Sequence, residues 1–204
     1  MIRHLAPAIL AFGMVLAQTP GFAQEGEGTG YRSEASVQAL GSFLKSTNQN
    51  GVDQNQTKSG GILASYRFFF DTHSGIEVNY GYARNTVSYG LAGDPFGIPT
   101  DNHEVSADYI FRLPHNRVSP FFLAGAGALV FDPRQGAATG ATAQTRPAFV
   151  YGGGVDLNLT SRIYLRAEYR GFVFNSPTYD AAALSGLDRT THLAEPSIGF
   201  GHRF

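Results

Sequence analysis

The 204-residue chain contains no cysteine and no tryptophan. Without cysteine the protein cannot form a disulfide framework, bind a metal through thiolates, or carry a lipid on a cysteine at its mature N-terminus. Charged residues make up only 15% of the chain, and the formal net charge is −1. This charge gives no reason to expect nucleic acid as a partner.

Long apolar runs are also missing after residue 23. Residues 1–23 begin with the basic pair Arg3 and His4, continue with an apolar stretch, and end with the small residues Gly21 and Ala23 on either side of Phe22. This pattern predicts a cleaved signal peptide, and the stretch is too short to anchor the chain in a bilayer. We therefore expect a signal peptide over 1–23.

Glycine and aromatic residues are abundant. The chain has 25 glycines, 16 phenylalanines and 10 tyrosines, whereas glycine usually contributes ~7% of residues. The mean hydropathy is −0.13. Many aromatics, little charge and middling hydropathy are typical of a sheet with one apolar and one polar face.

A period-two alternation recurs along the chain. Between residues 162 and 174, Arg166, Glu168 and Arg170 share one face, while Ile163, Leu165 and Tyr169 share the other. A helix would scatter these charges around its circumference, whereas a strand keeps them on one side. Similar runs of about ten residues, the length that spans a membrane as a strand, occupy 34–44, 59–70, 74–84, 102–113, 119–131, 148–159, 162–174 and 190–204.

The breaks between these runs alternate in length. The short breaks are 71–73, 114–118 and 160–161, and the long ones are 45–58, 89–101, 132–145 and 175–189. Short turns on one side and long loops on the other are characteristic of bacterial outer-membrane barrels. The sequence thus predicts an all-β, eight-stranded antiparallel transmembrane β-barrel with short periplasmic turns and four longer extracellular loops. The barrel is expected to form one domain over 34–204, preceded by an N-terminal periplasmic segment over 24–33. The loops are the expected site of contact with any extracellular ligand, although their apolar residues could equally pack on one another.

Aromatic residues occur at both ends of the predicted strands, where two interfacial girdles are expected. Beside the short turns these residues are Phe68, Phe69, Phe70, Phe111, Phe121, Phe122, Tyr164, Phe200 and Phe204, and near the long loops they are Phe43, Tyr82, Phe131, Phe149 and Phe172.

Two of the predicted strands depart from the regular pattern. The run 119–131 is apolar on both faces, so its inward face is not assigned, and Pro196 predicts a β-bulge in the last strand because it lacks a backbone donor.

The face opposite the apolar one carries charges of both signs. An eight-stranded barrel is just wide enough for side chains to fill its interior, and an isolated buried charge costs several kcal/mol. The charges are therefore predicted to pair in a static plug, with a gated polar path for small solutes as the alternative. The predicted lumen network comprises Arg67, Glu77, Glu104, Asp108, Arg112, Asp156, Arg166, Glu168, Arg170, Glu195 and Arg203.

Catalytic and metal-binding patterns are weak. His192 and Glu195 lie near the outer rim with Ser176 and Ser185, but residues three apart on a strand face opposite sides. Residues 53–57 have the spacing that begins a calcium loop, yet Lys58 and Ala64 stand where glycine and glutamate are required. We expect no enzymatic activity, no cofactor and no metal site.

Three segments carry a resemblance to a known family: FFLAGAG from Phe121, IYLRAEYRGF from Ile163, and SIGFGHRF at the end of the chain. The chain resembles the small outer-membrane barrel superfamily that includes the transmembrane domain of OmpA, the OmpX/Ail group and "outer membrane protein β-barrel domain" proteins. The resemblance implies a bacterial outer-membrane location. Ile198, Phe200 and Phe204 look like the terminal signal that the barrel-assembly machinery reads during biogenesis.

The resulting functional prediction is an integral outer-membrane protein with a packed lumen, with lipids as partners and a structural or surface-interaction role. Three alternatives remain at this point. They are a narrow porin-like channel, a soluble lipocalin-like barrel that binds an apolar ligand in the periplasm, and a lipid-modifying enzyme.

Overall fold

The computed structural model describes residues 31–44, 47–49, 52–56, 59–91, 94–134, 143–175 and 190–204. In these ranges the chain forms ten strands and no helix long and apolar enough to cross a membrane. The strands are β1 (Ser33–Leu44), β2 (Thr47–Gln49), β3 (Val52–Gln56), β4 (Ser59–Phe69), β5 (Ser74–Leu91), β6 (Asp94–Arg112), β7 (Val118–Pro133), β8 (Gln144–Asn158), β9 (Ile163–Asn175) and β10 (Thr190–Arg203).

Eight of these strands form a closed antiparallel barrel in the order β1-β4-β5-β6-β7-β8-β9-β10. The first and last strands close the ring through a seam that runs from the Glu34↔Arg203 pair to the Leu44↔Leu193 pair. Closure leaves no free edge in the ring, as the bilayer requires. The predicted eight-stranded antiparallel barrel is confirmed.

The hairpin of β5 and β6 is longer than the sequence indicated. Its ladder is continuous from Ser74↔Phe111 to Leu91↔Asp94, so the interpretation of 89–101 as an irregular loop is wrong. A hairpin can reverse over two residues, and Val, Tyr, Phe and Ile in this stretch favour strands. Pro95 and Pro99 are tolerated because, among the described residues, β6 pairs with β7 only from Thr100 onwards, so that the outer part of β6 is an edge within the described sheet.

Two short strands lie within the predicted loop 45–58. β2 pairs with β3, and β3 pairs with the outer extension of β5 from Asp53↔Gly90 to Gln56↔Val87. These pairings extend the sheet beyond the barrel on the extracellular side. Of the other predicted loops, residues 135–142 and 176–189 lie outside the described residues, as do Ser176, Ser185 and the predicted signal peptide.

The short turns are stabilised by side-chain oxygens that accept backbone hydrogen bonds. In the β4–β5 turn, Asp71 Oδ1 accepts from the N–H groups of His73 and Ser74, both at 2.7 Å. These two bonds lower the pKa of Asp71 below its usual value. In the β8–β9 turn, Thr160 Oγ1 likewise accepts hydrogen bonds from the backbone N–H groups of Arg162 and Ile163. Such local bonds fix a tight reversal without any core packing.

The strand β7 has a clear inward face. Phe121, Leu123, Leu129 and Phe131 are buried, whereas Phe122 is 62% exposed on the outer surface. The bulge predicted at Pro196 is wrong, because the register between β9 and β10 passes through Pro196↔Tyr169 unchanged. On the other side, the bridges between β1 and β10 lapse between Leu40↔Ser197 and Phe43↔Ala194, again without a change of register.

Part of the predicted aromatic girdles is also wrong. Phe69, Phe121, Phe131, Tyr164 and Phe172 are at most 4% exposed and face the interior. Their position along the strand suggested an interface, but the parity of the strand decides which way each side chain points. The aromatic residues that are at least 40% exposed outside include Phe43, Phe70, Phe111, Phe122, Phe149, Phe200 and Phe204.

Candidate functional site: the barrel interior

The interior of the barrel holds charges of both signs. All of the charged residues predicted for the lumen are buried, at most 5% exposed, and Glu34 joins them. Among the described residues the buried charges are five arginines and seven carboxylates, a formal excess of two negative charges. These residues are Glu34, Arg67, Glu77, Glu104, Asp108, Arg112, Asp156, Arg166, Glu168, Arg170, Glu195 and Arg203.

Arg166 and Arg67 organise the network nearest the periplasmic end. Arg166 donates to both carboxylate oxygens of Asp156, from Nε at 2.7 Å and from Nη2 at 3.0 Å. Its other contact on the far side of the bore is Glu77, at 3.5 Å. Arg67 contacts Glu77 closely and reaches Asp156 at 3.5 Å and Glu168 at 3.3 Å. Bidentate, charge-assisted pairs of this kind hold both partners in one geometry.

Glu34 is the member of the network that the sequence interpretation missed. It forms ion pairs with Arg112, with Arg203 at 2.9 Å and with Arg166 at 3.5 Å. Its position at the start of β1 was read as a domain boundary. The alternation with the buried Ser36 and Gln38 could have identified it, because residues two apart share a face.

Arg170 organises a second group of charges nearer the extracellular end. It contacts Glu104 closely, Glu195 at 3.5 Å and Glu168 at 3.6 Å. Glu104 and Glu195, together with the side chains Leu129, Phe131 and Leu193, line a narrow cavity above this group. One guanidinium therefore compensates several carboxylates in a partly apolar surrounding.

Asp108 is held differently from the other buried carboxylates. Its Oδ2 atom accepts from Asn79 Nδ2 and from Ser106 Oγ, both at 2.8 Å. Asn79 also donates to Glu77 at 3.0 Å, which links Asp108 to the network through a neutral amide. Neutral donors thus hold one oxygen of a carboxylate that has no close guanidinium among its described contacts, while its Oδ1 atom has no hydrogen-bond partner among them.

The inward aromatic rings pack against the arginines. The guanidinium carbon of Arg67 lies 4.0 Å from the ring centre of Phe121, and that of Arg112 lies 3.8 Å from the ring of Phe69. Arg203 lies over Tyr164 at 4.6 Å. These distances lie within the range of cation–π attraction. Three of the aromatic residues that the sequence placed in the girdles, Phe69, Phe121 and Tyr164, are therefore part of the lumen network.

Glycines make room for this packing. A Cβ atom on Gly125 would collide with the backbone oxygen of Ala107 and with Asp108. A Cβ atom on Gly154 would meet the backbone oxygen of Ala167 and the ring of Phe121. Gly152 and Gly153 have similarly close neighbours, which explains the three glycines within β8 by close approach.

The candidate catalytic residues are not brought together. Tyr151 Oη and His192 Nε2 are 2.8 Å apart on the outer surface, whereas Glu195 is buried inside. The barrel wall therefore separates His192 from Glu195. In the described parts of the chain, no group of three or more His, Asp and Glu residues is arranged to hold a metal ion.

The sequence matches a family of known proteins over almost its whole length. The family described as "Outer membrane protein beta-barrel domain" matches residues 8–204. The chain belongs to this family. Its location is accordingly the bacterial outer membrane, and the alternative of a soluble periplasmic binding barrel is wrong. No curated protein matches the sequence.

Solved structures of similar fold are small outer-membrane barrels. Ail of Yersinia pestis is 20% identical with a TM-score of 0.53, covering 85% of this chain and 99% of that chain. OprG of Pseudomonas aeruginosa is 13% identical with a TM-score of 0.62, covering 87% and 99%. Neisserial surface protein A is 15% identical with a TM-score of 0.62, covering 84% and 97%. At these identities the likeness shows the fold.

Proposed function

We propose that the protein is a non-conducting outer-membrane barrel with a structural or surface-interaction role, closed by its ion-paired lumen. The contacts across the bore carry this proposal. Arg67 of β4 meets Asp156 of β8, and Arg166 of β9 meets Glu77 of β5. In the ring order these strands stand opposite one another, so the ion pairs span the full width of the lumen. All four side chains are at most 1% exposed.

A conducting pore would require this network to separate. A path past Arg67 and Arg166 would break several charge-assisted bonds at once, each typically contributing about 1.5–3 kcal/mol. The network is therefore expected to be closed on the timescale of ion passage. A narrow channel for small solutes is the competing function, and it depends on the same residues.

Single-channel recording in planar bilayers tests the proposal. The wild-type barrel is expected to give no discrete conductance steps at neutral pH. The double variant Arg67→Ser/Arg166→Ser, which empties the centre of the bore, is expected to conduct. Arg162→Ser, on an exposed periplasmic turn, is the matched control and should stay silent. Uniform steps from the wild type that change in ion selectivity in the double variant would instead establish the channel.

We further propose that the outer hairpins and loops make any specific contact. The β5–β6 hairpin and the strands β2 and β3 extend the sheet beyond the barrel, within the segments 45–58 and 89–101. The strands that flank the predicted loops 132–145 and 175–189 also end on this side of the barrel. Ail of Yersinia pestis has been solved in complex with the heparin analogue sucrose octasulfate. By analogy, we propose that this chain too binds an extracellular ligand, and that the outer hairpins and loops hold it.

The proposed route of assembly involves the barrel-assembly machinery. Ile198, Phe200 and Phe204 alternate on the outward face at the end of the chain, with exposures of 55%, 61% and 44%. An exposed apolar stripe on the last strand is available to a receptor before the barrel enters the bilayer. The proposal includes no catalytic step, because His192 and Glu195 lie on opposite sides of the wall.

A further inference from the structure

The periplasmic part of the β1–β10 seam is firmly closed. Its ladder runs without a gap from Glu34↔Arg203 to Leu40↔Ser197. Two side-chain hydrogen bonds also cross the seam, because Arg203 Nε donates to Glu34 Oε1 at 2.9 Å and Ser197 Oγ donates to Gln38 Oε1 at 3.1 Å. Backbone and side chains therefore hold the two strands together in this part of the wall.

The extracellular part of the same seam has fewer contacts. The ladder lapses where Gly41 and Ser42 of β1 stand opposite Glu195 and Pro196 of β10, although Pro196 stays paired with β9 on its other side. Proline has no N–H group to donate across the seam. We name these four residues the seam gap. Above the seam gap, the described part of β1 pairs with β10 at only two further positions.

The ring of Phe43 covers the seam gap on the lipid side. A Cβ atom on Gly41 would lie 2.8 Å from this ring and 3.8 Å from Cγ of Pro196, so the ring leans across the glycine towards the proline. Both Phe43 and Pro196 are exposed on the outer surface. The outside of the seam gap is thus closed by one aromatic side chain in place of a ladder of hydrogen bonds.

The narrow cavity of the upper lumen lies directly behind the seam gap. Its lining includes Leu40, Leu193 and Glu195, which belong to or flank the gap, and continues with Leu129 and Phe131 of β7. The cavity has a volume of about 10 Å³, which is room for about one water molecule. A larger molecule can enter only if the wall moves, and most of the side chains that it would meet are apolar.

We propose that the seam gap opens sideways towards the outer leaflet and admits linear apolar molecules from the hydrocarbon into the upper lumen. Opening breaks the ladder at only Phe43↔Ala194 and Leu44↔Leu193. Because Pro196 has no N–H, fewer backbone groups lose a partner here than elsewhere in the wall. The lapse covers two residue positions, about 7 Å along a strand. The ion-paired network below stays closed, so a molecule that enters does not cross the barrel.

Thiol labelling inside the cavity tests this opening, and the absence of native cysteine makes the label specific. The Leu129→Cys variant is reconstituted in phospholipid vesicles, and its labelling by a linear N-alkylmaleimide dissolved in the bilayer is timed at fixed pH. Adding Pro196→Val supplies one ladder donor and is expected to slow labelling roughly three- to tenfold. Adding Pro120→Val, in a ladder that continues past the proline, is the matched control and should leave the rate unchanged.

Two further measurements identify the route of entry. The Phe122→Cys variant, on the lipid-facing side of β7, should be labelled equally fast with and without Pro196→Val. A charged, water-soluble maleimide added outside the vesicles should label Leu129→Cys at a rate that Pro196→Val does not change. Equal slowing of the charged reagent would place the opening in water and overturn the proposal. Labelling by the alkylmaleimide that is unaffected by Pro196→Val, in barrels whose fold is verified by gel mobility, would overturn it as well.

Discussion

The inner faces of β6 and β7 differ sharply although the two strands pair along 13 residue positions. The inward side chains of β6 include Glu104, Ser106, Asp108 and Arg112, whereas those of β7 include Phe121, Leu123, Leu129 and Phe131 with two glycines between them. Over residues 105–111 of β6 and 120–130 of β7, the outward side chains are apolar or small on both strands. The bilayer thus constrains the residue types only at the outward positions of each strand. At the inward positions, the residue types depend on the side chains that other strands bring into the lumen.

The two inner faces fit together because β6 carries side chains at the positions where β7 has glycines. Gly125 is paired with Asp108, and Gly127 is paired with Ser106. A Cβ atom on either glycine would meet the backbone or side chain of β6. The polar residues of β6 therefore occupy the space that the glycines of β7 leave free, and the bulky residues of β7 stand above and below them.

The polar face of β6 depends on a cation from β9, the guanidinium of Arg170. Among the variants considered, Arg170→Met should therefore destabilise the barrel most. The substitution leaves Glu104 and Glu195 buried without their shared guanidinium, which is expected to lower the free energy of unfolding by about 3–5 kcal/mol. Urea titration in phospholipid vesicles, with the folded fraction read from gel mobility, measures the loss.

Two further variants sharpen this test. Arg162→Met, on the exposed β8–β9 turn, should change the free energy of unfolding by less than about 0.5 kcal/mol. Adding Glu104→Leu and Glu195→Met to Arg170→Met should recover most of the stability, since apolar residues can replace a buried ionic group. A stable Arg170→Met variant would contradict the dependence of β6 on β9.

The fit between the two faces is tested by Gly125→Ala. The added methyl group would overlap the backbone oxygen of Ala107 and the side chain of Asp108. Overpacking of this kind is expected to cost about 1–3 kcal/mol in unfolding free energy. Ala126→Val, on the lipid-facing side of the same strand, is the control and should cost less than about 0.5 kcal/mol. Equal effects of the two variants would show that the strands do not interlock as described.

The apolar face of β7 is tested by comparing neighbouring phenylalanines. Phe121→Leu removes a ring that lies 4.0 Å from the guanidinium of Arg67 and 5.2 Å from that of Arg166. The expected loss is about 1–2 kcal/mol in the same urea titration. Phe122→Leu, which changes a lipid-facing ring, should alter stability by less than about 0.5 kcal/mol. A larger effect at Phe122 would reverse the assignment of the two faces.

The sequence sufficed for the strand count and for the direction of most side chains, because lipid on one side enforces a period of two. Val105 and Tyr109 against Glu104 and Asp108 show this pattern directly. The same argument failed for β7, where Phe121 and Phe122 are chemically identical. Phe121 is distinguished by its contacts with other strands, the arginines of β4 and β9 and the buried apolar cluster, and no local pattern contains that information.

Strand ends were harder to predict than strand interiors. Membrane thickness limits the apolar band, but β5 and β6 continue pairing past that band to Leu91 and Asp94. Beyond the bilayer, water faces both sides, so the alternation that marks a strand is lost. Glu34 was missed for a related reason, since a single charge at the first position of a run looks like the edge of a loop.

The seam between β1 and β10 has a consequence for the order of folding. Each other neighbouring pair in the ring joins strands that follow one another along the barrel, whereas the Glu34–Arg203 ion pair joins residues 169 positions apart. The hairpins between consecutive strands can form one after another. The outer edges of β1 and β10 stay unpaired until the β1–β10 ladder forms. Since open edges are costly in hydrocarbon, ring closure and entry into the bilayer should be a single concerted event, limited in rate by the arrival of the final strand.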